Sequence, residues 1–103
     1  MMMETLYKIR TLEKLVDAGT EDGLIDKTIS KLIQYKTGKI ERELQELESA
    51  MKKFESKYNM GTETFYKQFE DGGLGDEMDF FEWYTLCDMH KRIIQRLNIA
   101  ERG

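Results

Sequence analysis

Between Leu24 and Tyr58 the chain carries apolar side chains at Ile25, Ile29, Ile33, Ile40, Leu44, Leu47, Met51, Phe54 and Tyr58. From Ile40 onward the steps alternate between four and three residues, the spacing of a helical seam that repeats every seven. Ile33 lies one heptad before Ile40, so the phase passes unbroken through Thr37-Gly38. A loop at that point would reset it. The segment therefore reads as one continuous helix, about residues 20–59, that tolerates Gly38 at a cost of about 1 kcal/mol relative to alanine. At 1.5 Å per residue, such a helix spans roughly 50 Å. A compact chain of about 100 residues has a radius of gyration of only about 13 Å. The pattern thus predicts an elongated helical hairpin or bundle.

The rest of the chain agrees with an all-α fold of four helices in a single domain, residues 1–103. There is no proline, and 35% of the residues are charged, a profile that suits helices and fits strands poorly. The first helix is predicted from Thr5 to Asp17, with Leu6, Ile9, Leu12, Leu15 and Val16 at helical spacing and Gly19 in the left-handed position that closes many helices. Thr20 is the expected N-cap of the long helix, with Glu21, Asp22 and Asp26 at the positive end of its dipole. Asn59-Met60-Gly61 ends it. A short helix follows from Thr62 to about Glu70, buried through Phe65, Phe69 and Tyr66. After the glycine-rich turn 72–75, Asp76 is the expected cap of the last helix, with Asp79 completing a capping-box relative. That helix, about 76–98, has a stripe of Phe80, Trp83, Cys87, His90, Ile94 and Leu97. Phe81, Tyr84, Leu86, Met89 and Ile93 widen it, as on a helix covered on two sides. The long helix should pack against this last one.

The last helix covers only part of the long one. Each seam residue left in water forgoes about 1.5–3 kcal/mol. Self-association through Ile33, Ile40, Leu44, Leu47, Met51 and Phe54 is the economical remedy, most simply as a homodimer.

Cys87 is the single cysteine, so no internal disulfide forms, which suits a reducing, cytoplasmic setting. No apolar run approaches the roughly 20 residues needed to span a bilayer. The Met1-Met2-Met3 start has no apolar region after it and does not read as a signal peptide. The Lys/Glu excess is of the kind seen in thermophile proteins. The net charge of −4 is unevenly spread. Residues 63–88 hold eight acids (Glu63, Glu70, Asp71, Asp76, Glu77, Asp79, Glu82, Asp88) against Lys67, a net of −7. An acidic middle argues against nucleic-acid binding by the chain alone, since that affinity comes from neutralising phosphates. It favours a basic protein partner.

Candidate chemistry is sparse. Asp71 to Glu82 has the length and end residues of a calcium loop, but Gly73 and Gly75 stand where ligands are needed, and Asp76 stands where the loop needs glycine. A looser divalent site could use Asp76, Asp79 and Glu82; the competing reading is that these acids cap and solvate a helix. The glycine turn lacks the Lys and Ser/Thr of a phosphate loop. His90 lies on an apolar seam, as hydrogen-bonded core histidines do. Cys87 one turn earlier could face it, but burial would raise the thiol pKa and leave it inert. Carboxylates paired at i, i+3 (Glu43/Glu46, Asp79/Glu82) are the arrangement of divalent-metal-dependent all-α nucleotide phosphohydrolases, and equally of a solvated flank. No cofactor is implied. The aromatic group Phe80, Phe81, Trp83, Tyr84, with Asp79 and Glu82, reads either as core or as a partner-binding anchor.

The run Phe54-Glu55, Tyr58-Asn59-Met60, Phe65-Tyr66, Phe69-Glu70, Gly73-Leu74-Gly75-Asp76 and Asp79-Phe80-Phe81-Glu82-Trp83 resembles a group of short archaeal and cyanobacterial helical proteins. Some of these look like the antitoxin half of toxin–antitoxin pairs. The resemblance covers about residues 24–97 and implies binding and neutralisation of a small toxin, with no catalytic residues. The first helix lies outside it, and no DNA-binding motif is evident. The expectation is a non-enzymatic protein–protein interaction module, on that resemblance an antitoxin. A metal-dependent nucleotide phosphohydrolase is the alternative.

Overall fold

The computed structural model describes residues 2–102. It contains four helices, α1 (Met2–Asp17), α2 (Leu24–Tyr58), α3 (Thr62–Glu70) and α4 (Met78–Arg102), and no strand among the described residues. The all-α expectation is met. α2 runs unbroken through Gly38 for 35 residues, and α3 has the bounds its pattern predicts.

Three helices end in the same way. The N–H of Thr20 reaches back to the Leu15 carbonyl at 3.1 Å, and that of Gly19 to Val16 at 3.0 Å. Gly19 sits at φ 89°, the left-handed conformation this closure needs. Gly72 (φ 75°) does the same after α3, with Gly73 N–H to Gln68 at 2.9 Å. After α2 the left-handed residue is Asn59 (φ 50°), the non-glycine type that tolerates it best.

Two helix starts differ from expectation. Thr20 is not the N-cap of α2. Its hydroxyl donates to Leu15 at 2.6 Å and closes α1 instead. The entry to α2 is set by Asp22, which accepts the Leu24 N–H at 3.1 Å, while Glu21 accepts the Gly23 N–H at 2.7 Å. Nor does α4 begin at Asp76; it begins at Met78. The Asp79 carboxylate that was to complete the cap is drawn to another helix, because a cation and a phenol there offer stronger donors than a backbone amide.

The contacts divide the chain into two compact units, Met1–Gln34 and Tyr35–Gly103. In the first, none of the side chains from residue 3 onward is buried; only Gly23 and Ile25 are half-covered.

The second unit holds the core. Tyr58 meets Phe80, Phe54 meets Trp83, and Glu48 meets His90. Each step back along α2 is a step forward along α4, so the two helices pack antiparallel. Phe65, Phe80, Trp83 and Cys87 are buried, with Met51, Phe54, Tyr58, Met60, Tyr66, Phe69, Leu74 and Tyr84 packed around them. Trp83 and Phe65 are fully enclosed and stack face to face, centroids 3.9 Å apart and planes 5° apart. The indole N–H donates to the Thr62 hydroxyl at 3.2 Å, and that hydroxyl donates to Glu55 at 2.9 Å. Glu55 also accepts the Thr62 backbone N–H at 2.9 Å. A carboxylate from α2 thereby caps α3, whose own cap residue, Gly61, has no side chain to do so. One chain of hydrogen bonds satisfies the buried indole and fixes α3 on the hairpin.

This arrangement splits the long seam. Leu47 is buried, and Met51 and Phe54 pack on the core inside the chain. Leu44 and Ile40 are half-buried, and Ile33, in the first unit, is 50% exposed. The expected self-association surface is therefore largely occupied from Leu47 downward, because α3 and α4 reach it first.

Candidate functional site

The six residues expected to contact a partner separate into three pairs. Phe80 and Trp83 are buried in the core. Asp79 and Tyr84 are half-buried and bonded to their own chain. Phe81, 48% exposed, and Glu82 face outward.

Asp79 accepts the Lys57 ammonium and the Tyr58 hydroxyl, both at 2.6 Å. The Lys57 and Tyr58 hydrogen bonds hold its carboxyl below the usual aspartate range. The reciprocal effect pushes the Tyr58 phenol up to about 12 and raises the Lys57 ammonium, in both cases chiefly through the bond to Asp79. This knot fastens the end of α2 to the start of α4. Tyr84 stacks on Tyr66 at 5.1 Å and donates to Glu70 at 3.1 Å. Hydrogen bonding with Tyr66 and then Glu70 raises its phenol above the ordinary tyrosine value.

What remains exposed is compact. Met78 is 80% exposed and Phe81 48%. Residues three and four apart share a helix face, so Met78, Phe81 and Glu82 lie together at the first turns of α4; Glu77, just before the helix, accepts from the Tyr58 hydroxyl at 3.4 Å. Asp71 and Asp76, in the preceding loop, are exposed too. Phe81 is steadied from below by Phe69, edge to face at 5.5 Å. The arrangement is an exposed apolar pair on a fixed helix, with exposed carboxylates on the same segment. Met78 is the exposed apolar residue that sequence reasoning missed. Its signal was there: it is an apolar residue off the buried stripe, in the middle of an acidic run.

A second feature is a cleft of about 450 Å³ between α3 and α4, whose walls include Tyr66, Lys67, Cys87, His90 and Lys91. The Lys91 ammonium lies over the Tyr66 ring, 4.0 Å from its centroid. Cys87 and His90 do share this cleft, as their spacing suggested. The thiol is buried, and desolvation pushes its pKa up, the reverse of what a nucleophilic cysteine needs. The His90 Nε2 is 3.4 Å from Glu48 on α2, at the long limit of a hydrogen bond.

Asp76, Asp79 and Glu82 do not converge. Among the described residues no group of three or more His, Cys, Asp or Glu side chains is placed to hold a metal ion. Asp79 is already committed to Lys57 and Tyr58. Glu43 and Glu46 are exposed on α2. No described helix is long and apolar enough to cross a membrane.

Comparison with protein families, characterised proteins and solved structures finds no match to this chain. The class of protein is therefore defined by its fold and surface alone, an all-α chain presenting an acidic, apolar-centred patch.

Proposed function

We propose that this protein is a non-enzymatic interaction module that binds a small basic protein through the start of α4 and the loop before it. On the resemblance carried by the Leu74-Gly75-Asp76 turn and Phe81-Glu82-Trp83, its role is that of an antitoxin neutralising a small toxin. The observation that supports this best is the exposure of Met78 and Phe81 amid Asp71, Asp76, Glu77 and Glu82. Apolar anchors supply affinity when a partner's pocket dries them. The surrounding charge steers a cationic partner and repels an acidic one. The core below pre-organises the patch, which lowers the entropic cost of docking. The lone, buried thiol of Cys87 suits a cytoplasmic setting.

The test is calorimetry against the purified basic product of the neighbouring reading frame. Phe81→Ala with Met78→Ala should weaken binding at least tenfold, and added salt should weaken it further by screening. No binding, or affinity indifferent to both the double substitution and salt, overturns the reading.

A further inference from the structure

The first unit poses a packing problem that the chain alone does not solve. On α1, Leu6 (48%), Ile9 (53%), Leu12 (36%), Leu15 (45%) and Val16 (38%) are all exposed. On the adjoining start of α2, Ile29 (37%), Leu32 (58%) and Ile33 (50%) are as well. A helical domain needs a second layer over its apolar stripe, and an isolated helix of 16 residues is marginal in water.

We propose that this unit is the surface through which two copies of the chain associate, with α1 packing antiparallel against α1 of the second copy. Charge selects the occupant. Within residues 2–34 there are six acids (Glu4, Glu13, Asp17, Glu21, Asp22, Asp26) and five bases (Lys8, Arg10, Lys14, Lys27, Lys31). The unit is near neutral and can meet itself. The segment 63–88, at −7, would repel its own copy. Register agrees. Turned end for end about the midpoint between Arg10 and Thr11, α1 sets Leu6 opposite Leu15 and Ile9 opposite Leu12. Lys8 then faces Glu13. The like pair, Glu4 with Asp17, falls at the solvated ends. Such self-complementarity is what a two-fold contact demands.

The area is adequate. Burying one aliphatic side chain removes roughly 60–120 Å² of apolar surface. Eight side chains about half exposed therefore offer roughly 250–500 Å² per copy. A standard interface buries about 800 Å² per partner, some 60% of it apolar, so the upper end of that range matches. The pairing uses none of the residues of the acidic patch and stands whether or not that patch binds a basic protein.

The experiment is sedimentation of the full chain alone. We expect a dimer, and a monomer for Leu12→Glu with Trp83 emission unchanged, since Trp83 lies in the other unit. Oxidative cross-linking of cysteine substitutions on α1 reads the register, with the wild-type chain, whose Cys87 is buried, as control. Ile9→Cys should link to Leu12→Cys when the two are mixed, and Leu6→Cys to Leu15→Cys, while Leu6→Cys alone should not link to itself. A monomeric wild type, a dimer that survives Leu12→Glu, or self-linking of Leu6→Cys overturns the proposal.

Discussion

Phe65 is the residue on which the second unit's stability should turn. It is fully buried and stacked on Trp83 at 3.9 Å, with Phe69 and Phe80 at 5.6 and 5.9 Å. Phe65→Ala removes the ring and leaves a cavity between α3 and α4, a change that costs about 3–5 kcal/mol. Alanine's better helix propensity returns about 0.5 kcal/mol. Phe65→Leu keeps most of the volume but loses the stacking, worth about 0.5–1.5 kcal/mol beyond area, so it should cost about 1–2 kcal/mol in all. Small domains have only about 5–15 kcal/mol of stability, so the alanine variant approaches the threshold. Trp83 is the chain's single tryptophan and reports the transition directly. With a urea slope near 1.5 kcal/mol per molar, the midpoint should fall by about 2–3 M for alanine and about 1 M for leucine. A loss under about 1 kcal/mol for Phe65→Ala would refute the packing argument. So would wild-type Trp83 emission at the wavelength of a hydrated indole.

Three further outcomes are expected. Gly38→Ala should stabilise the chain by about 1 kcal/mol in urea melts, because an added Cβ meets only the Arg42 guanidinium at 3.7 Å. The Asp79 knot should show in pH dependence. A depressed carboxylate pKa contributes stability that is fully present above the ordinary value of 3.8 and is lost as pH falls through the lowered one. Acid titrations should therefore be less steep in Asp79→Asn than in the wild type. At the alkaline end Tyr58, pushed up to about 12, stays protonated past the ordinary tyrosine range. Its contribution persists until pH rises through that value. Absorbance titration should find it late, and Asp79→Asn should bring it back toward 10. The Cys87 thiol, buried and raised in pKa, should react with a thiol reagent at neutral pH only as fast as the core opens, and far faster in urea.

Much of the fold was legible in the chain. The uninterrupted phase from Ile33 to Tyr58 specified one helix through Gly38, because helical periodicity is local and a loop would have broken it. Gly19 and Asn59 marked helix ends for an equally local reason, the ease of left-handed φ. The caps were less legible. Thr20 could close the helix behind it or open the one ahead, and only the competition for the Leu15 carbonyl decided. Asp79 looked like a capping residue until Lys57 and Tyr58, some twenty positions away, supplied stronger donors.

The surface was where local reading ran out. Phe80, Phe81, Trp83 and Tyr84 are consecutive or nearly so, and composition treats them alike. A helix turns each by about 100°, so one neighbour lies in the core and the next in water. Which of them face inward depends on where α3 and the end of α2 press, and that is a long-range fact. The chain's own pattern established the helices, their amphipathic stripes and the charge imbalance, because these depend on neighbours a few residues apart. Only the tertiary structure assigned the aromatics to core or surface, dispersed the acids that might have gathered a metal, and left the N-terminal stripe uncovered. Those outcomes depend on residues far apart in sequence competing for the same space.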